Sequence, residues 1–260
     1  MKFDAVIFDW AGTMIDFGSF APMGVFVEAF ARFGVTATIE EARGPMGAPK
    51  RAHIQAMLAM PSIRAQWQAE HGRAPTEEDV DAVYAIFVPM NEAVAPKYAT
   101  LVPGAKSTLD ALAARGIRVG STTGYVRSIM KGVIPVAAAQ GFSPECIVCA
   151  DDVEGGRPGA EQMFLAFEQM SLNRGAKVLK VDDTEPGIAE GVAVGAVTVG
   201  VALSGNIAGL TVEDLMALPD DERAALLAKA SGILRAAGAD HVIETVADLP
   251  DLIEALEAKG

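Results

Sequence analysis

Strand-like apolar runs recur along the chain, and each stops on polar residues. FDAVIFD begins at Phe3, IRVGSTTG at Ile117, CIVCADD at Cys146, KVLKVDDT at Lys177 and AVTVGVAL at Ala196. HVIETV, from His241, is a weaker sixth. Amphipathic helix patterns such as GAKSTLDALAARG and GAEQMFLAFEQM fall between the later runs. A continuous apolar run suits a strand buried on both faces, and alternation with helices predicts βαβ units around a parallel sheet. Few other folds accept such a pattern.

The segment from about Gly18 to Thr100 breaks the alternation. APMGVFVEAFARFG, TIEEARGPMG, PKRAHIQAMLAM and PTEEDVDAVYAIF all carry helical periodicity, and Thr38-x-x-Glu41 is a capping signature. No strand-like run separates them. The expected organisation is a sheet-forming core of residues 1–18 and 100–260 with an all-helical cap, 19–99, inserted after the first run. In open α/β sheets ligands bind at the carboxyl edge, so the cap should cover the site.

Composition narrows the function. About half of the residues are apolar (51%), enough for a sizeable core, and the formal net charge is −13. Such a surface repels phosphate backbones, which argues against nucleic acid as a partner. A site for an anionic substrate must then be locally positive. The longest apolar run, Gly191 to Leu203, has 13 residues, short of the ~18 expected of a membrane span. With no basic, signal-like start, the expectation is a cytoplasmic protein without membrane contact. Cys146 and Cys149 form a C-x-x-C pair, but too few other ligands stand nearby for zinc. They fit a buried strand as packing residues.

The strand ends carry the chemistry. The first delivers Asp9 with Gly12 and Thr13, the second Ser121 to Gly124, the third is followed by ADDVEGGRP with Arg157, and the fourth ends in VDDT. A strand-end aspartate can attack phosphorus and become an aspartyl phosphate. Magnesium, held by Asp9 and an aspartate of VDDT, would relieve the repulsion between carboxylate and substrate. The STTG hydroxyl and N–H groups would hold phosphoryl oxygens, and Arg157 would add a fixed positive charge. Each piece alone is a common turn or helix cap. In order, each after an apolar strand, they form a set.

That set resembles the haloacid dehalogenase superfamily of aspartate-nucleophile phosphotransferases across the whole sheet-forming part of the chain. The resemblance implies an α/β fold with a Rossmann-like parallel-sheet core and a helical cap. Its phosphatases carry D-x-D-G-T, whose second aspartate protonates the departing alkoxide. Here the loop is Asp9-Trp10-Ala11-Gly12-Thr13, and the acid is missing. A carbon leaving group needs no such acid; it needs an electron sink, which a lysine condensed with an aldehyde supplies. Lys50 stands near a helix start after Gly-Pro-Met-Gly, with His53 three residues on.

FDWAGTMIDFGSFAP, EEARGPMGAPKRAHI, IRVGSTTGYVR, DDVEGGRP and KVDDTEPGIAEG are together similar to the carbon–phosphorus-cleaving phosphonatase branch. The resemblance implies hydrolysis of phosphonoacetaldehyde to acetaldehyde and phosphate, with Asp9 as nucleophile and Lys50 as the Schiff-base residue. It implies Mg2+ held by Asp9, the Ala11 carbonyl and Asp183. Thr123, with Arg157, would bind the phosphoryl group, Thr13 and Gly124 would be further substrate-binding residues, and Met46, Gly47, His53 and Tyr125 would line the lysine's surroundings. It further implies a homodimer paired through the cap. A magnesium-dependent monoester phosphatase or phosphomutase is the alternative on the same fold. Burial, with Arg51 or a protonated His53 nearby, should lower the pKa of Lys50. Trp10 and Trp67 should be packing residues. Two departures stand out: GAEQM follows Arg157-Pro158 in place of an aromatic stretch, and Gly187 replaces a second acid. The latter leaves Asp182 or water to complete the metal shell.

Overall fold

The computed structural model describes residues 2–173 and 175–259. Six parallel strands form one sheet: β1 (Ala5–Phe8), β2 (Arg118–Thr122), β3 (Ile147–Val148), β4 (Val178–Asp182), β5 (Val197–Val201) and β6 (His241–Ile243), in the order β3-β2-β1-β4-β5-β6. Both faces of β1 are buried. Val6 and Phe8 pack with Trp10, Ile129, Met130 and Val133 on one side. Ala5 and Ile7 pack with Met163, Ala166 and Met170 on the other. This double burial is why the run is continuously apolar.

Five α-helices follow β1: α1 (Ala21–Ala31), α2 (Ile39–Arg43), α3 (Lys50–Ala59), α4 (Pro61–His71) and α5 (Glu77–Val94). They enclose a core of their own, including Phe26, Phe30, Met57, Trp67, Val83 and Phe87. Thr38 caps α2 in a full capping box with Glu41. The chain then returns to the sheet through α6 (Ala105–Ala114), α7 (Arg127–Ala139), α8 (Glu161–Gln169), α9 (Glu185–Ala193), α10 (Val212–Ala217), α11 (Asp220–Ala236) and α12 (Leu249–Lys259). The 17-residue α11, between β5 and β6, carries no strong apolar stripe and was not anticipated from the sequence.

The third run supplies only a two-residue strand. Its cysteines point to opposite faces: Cys146 joins the cluster around Ile7, and Cys149 the cluster around Phe8. Both are buried free thiols, and burial pushes Cys149 up to about 12. They pack, as the strand reading expects. Trp10 is buried against Phe142, with ring centres 4.7 Å apart, and Trp67 is buried beside Phe33. Among the described residues no helix is long and apolar enough to cross a membrane.

Candidate active site

Register builds the site. Phe8 pairs with Ser121 on one side and Val181 on the other, so the three central strands end level. The Asp9 N–H still donates to the Val181 carbonyl (2.9 Å), and Thr123 N–H to Val148 (3.0 Å). Asp9, Thr122, Thr123 and Asp182 therefore emerge side by side at one edge. Asp9, Asp182 and Asp183 are all buried, and each offers an oxygen within 4.8 Å of the others.

Two cations sit within this acidic set. Arg157 Nη1 lies 2.8 Å from Asp9 Oδ1 and its Nη2 3.3 Å from Asp182 Oδ2. Lys180 Nζ lies 3.1 Å from Asp182 and 2.8 Å from Glu190 Oε2. Glu190 also accepts from Thr122 Oγ1 (2.8 Å), and Arg157 Nη2 donates to that same hydroxyl (3.0 Å). Burial pushes Asp9 up to about 6, with the charge of Asp182 adding and Arg157 and Lys180 opposing. Burial raises Asp183 far above the usual carboxylate range, and Asp9 and Asp182 reinforce it. For Asp182 burial is outweighed by Arg157 and Lys180, which hold it below its ordinary value.

The loop after β1 is shaped around Asp183. Thr13 Oγ1 donates to Asp183 Oδ1 (3.0 Å), and the Asn206 N–H donates to Oδ2 (2.7 Å). Gly12 turns with φ 86°, and a Cβ there would lie 2.3 Å from Asp183 Oδ2. The donor set suits a hard divalent cation: clustered carboxylate oxygens, buried and only partly neutralised by the two cations.

The cap faces this edge through Lys50. The residue opens α3, and its amine lies 5.1 Å from the Tyr125 ring centre, 5.8 Å from that of Phe26 and 3.8 Å from Met46 Sδ. Burial lowers its pKa to about 8; Asp9 and Asp183 oppose that, and Arg157 assists. Arg51 is not the assisting cation. It is partly exposed and paired with Glu77 and Asp81 (2.9 and 2.7 Å). His53 is held neutral by burial and by Lys50 itself, its ring stacked on Phe26 at 3.9 Å and its Nε2 2.8 Å from the Ala42 carbonyl oxygen.

One cavity of about 20 Å³ lies between cap and core. Asp9, Ala11, Met46, Gly47, Lys50, Thr123, Gly124, Tyr125 and Arg157 line it, as do Ser19, Pro22 and Thr184. Three expected site residues stand behind the lining: Thr13 and Asp183 beneath it and His53 within the cap. The Thr123 hydroxyl accepts from the Tyr125 N–H (3.1 Å), and Gln162 Nε2 holds the Thr123 carbonyl (2.9 Å). Gly47, at φ 87°, lets the cap loop touch Thr184, since a Cβ there would lie 2.2 Å from Thr184 Oγ1. Gln162, Lys180 and Glu190 were not foreseen as site residues. A lysine inside the apolar run VLKVD was the available signal, because an unpaired buried charge is not tolerated.

The strand order, the acidic cluster and the inserted helices define a haloacid dehalogenase-like hydrolase: that family's model matches residues 3–195. A phosphonoacetaldehyde hydrolase of Paraburkholderia phytofirmans is 49% identical over 255 residues, covering 98% of this chain and 96% of the relative. One from Klebsiella pneumoniae is 44% identical, covering 99% and 97%. The crystal structure of a phosphonoacetaldehyde hydrolase-like protein from Oleispira antarctica superposes with a TM-score of 0.96 at 40% identity, covering 100% of this chain and 94% of that one. The chain belongs to the phosphonoacetaldehyde hydrolase family.

Proposed function

We propose that the protein hydrolyses the carbon–phosphorus bond of phosphonoacetaldehyde, giving acetaldehyde and phosphate. The observation that carries this reading is Lys50: a buried, lowered-pKa amine that shares one cavity with the strand-end Asp9. Ala11, where a phosphatase would need its proton donor, fits the same chemistry.

With a pKa of about 8, about a tenth of Lys50 is free amine at pH 7. The amine adds to the aldehyde, water leaves, and a protonated iminium forms. Arg157 and Thr123 orient the phosphoryl group, so that Arg157 exchanges part of its pairing with Asp9 for substrate oxygens. An Asp9 oxygen attacks phosphorus as the carbon–phosphorus bond breaks, its electron pair passing to carbon to leave an enamine on Lys50. The enamine is protonated at carbon. One water then hydrolyses the aspartyl phosphate and a second the iminium, so a single water is consumed overall. Asp9, the Ala11 carbonyl and Asp183 would hold Mg2+, whose charge would draw the anionic phosphoryl group onto a carboxylate.

In this reading residues 1–18 and 100–260 work as the core and 19–99 as the cap, in a cytoplasmic homodimer paired through the cap. A cavity of about 20 Å³ has room for little more than one water, so the cap must withdraw for substrate to enter. Borohydride added with phosphonoacetaldehyde should inactivate the enzyme and leave a reduced adduct on Lys50. Lys50→Arg should abolish cleavage, because a guanidinium forms no imine. Cleavage by that variant, with no adduct on Lys50 in the parent, would refute the reading.

A further inference from the structure

Arg43, the last residue of the cap helix α2, reaches across to the core. Its Nη1 donates to the carbonyl of Gly18 (2.8 Å), to the carbonyl of Asn206 (3.2 Å) and to Asn206 Oδ1 (3.1 Å). Asn206 answers, its Nδ2 donating to the Arg43 carbonyl at 3.2 Å. The guanidinium also lies over the Phe20 ring, 5.1 Å from its centre. Gly209 leaves the space it occupies, since a Cβ there would be 2.8 Å from Arg43 Cζ.

The core partner is not an arbitrary surface loop. The Asn206 backbone N–H is the donor to Asp183 Oδ2, and two residues earlier Ser204 Oγ donates to the Gly12 carbonyl (2.8 Å). The Gly18 N–H closes the junction on the Ser204 carbonyl (2.7 Å). On the cap side the chain runs directly from Arg43 through Met46 and Gly47 to Lys50. One reciprocal contact thus joins the segment that ends on the lysine to the loop that holds Asp183.

We propose that Arg43 and Asn206 are positioning residues, a clasp that sets the Lys50 amine against Asp9 when the cap closes. The inference rests on the function proposed above and adds two residues to it. Neither lines the cavity, so both act through the lysine's placement. Displacing a reacting group by about 1 Å can cost about a hundredfold in rate.

The test compares Arg43→Ala, Asn206→Ala and the double variant. Phosphate release from phosphonoacetaldehyde and the rate of borohydride trapping are read beside the thermal midpoint and the magnesium half-saturation. Each single change should lower kcat and trapping about 10- to 100-fold. The double variant should lose less than the product of the two single losses, because both single changes remove the bond from Arg43 Nη1 to Asn206 Oδ1. Midpoint and half-saturation should stay near the parent's. All three Arg43 bonds use Nη1, so Arg43→Lys should recover part of the rate. If Arg43→Ala does not fold, Asn206→Ala and Arg43→Lys decide in its place. Rates within twofold of the parent, or losses that multiply in the double variant, overturn the clasp. Lys50→Arg assayed alongside separates the two ideas: cleavage by it refutes the lysine chemistry, whereas unimpaired cleavage by the clasp variants refutes only the clasp.

Discussion

At Lys50 reactivity and stability oppose each other. Burial favours the free amine the aldehyde requires, and the same burial penalises the folded state while the unfolded chain keeps its proton. The unfolded lysine titrates near 10.5 and the folded one near 8. Between those values the unfolded state binds more protons, so stability rises with pH across that window. Below pH 8 the whole penalty applies, about 3 kcal/mol by linkage. Lys50→Met, which keeps the length and removes the charge, should abolish turnover yet raise the urea midpoint at pH 7. The gain should shrink from pH 8 upwards and vanish near 10.5. Equal midpoints for variant and parent at pH 7 would show that the lysine bears no such penalty.

Among elements, α9 shows how a departure in sequence is accommodated. Gly187 lies in its first turn, and a Cβ there would stand 1.9 Å from Asp182 Oδ2. The Asp182 carboxylate occupies that space and accepts from the Thr184 N–H (3.0 Å) and hydroxyl (2.7 Å). Gly187→Ala gains about 1 kcal/mol of helix propensity. Overpacking costs about 1–3 kcal/mol, and displacing a buried carboxylate from its partners adds to that. The variant should therefore unfold at lower urea and bind phosphate more weakly, since Asp182 also anchors Arg157. A higher midpoint than the parent's would contradict this. Such details mark the limit of what the sequence discloses. Asp9, Thr123 and Arg157 were legible because each follows a recognisable strand, and Lys50 because the missing acid beside Asp9 asked for an electron sink. Arg43, Asn206 and Glu190 were not. They belong to a loop and two helices whose mutual approach no local pattern encodes. The cation that assists Lys50 was misassigned for the same reason: Arg51 is its neighbour in sequence, whereas Arg157 is its neighbour in space.

On the scale of the molecule, the position of β1 in the middle of the sheet sets an order of events. One of its edges pairs with β2, more than a hundred residues later, and the other waits for β4. The bond from Thr13 to Asp183 spans 170 positions. Contacts this distant in sequence close slowly, because the intervening chain loses its freedom before they reward it. A growing or refolding chain therefore carries an apolar strand, Ala5–Phe8, with an unsatisfied edge until residues near 182 arrive. Such an edge is a template for another chain. Refolding from urea should recover activity in high yield at nanomolar protein and in falling yield as concentration rises, with light scattering growing in step. Phosphate-releasing activity should return no earlier than the β4 amides gain protection from hydrogen exchange. The arrangement that makes the site rigid in the finished protein is the one that leaves it exposed to misassembly on the way there.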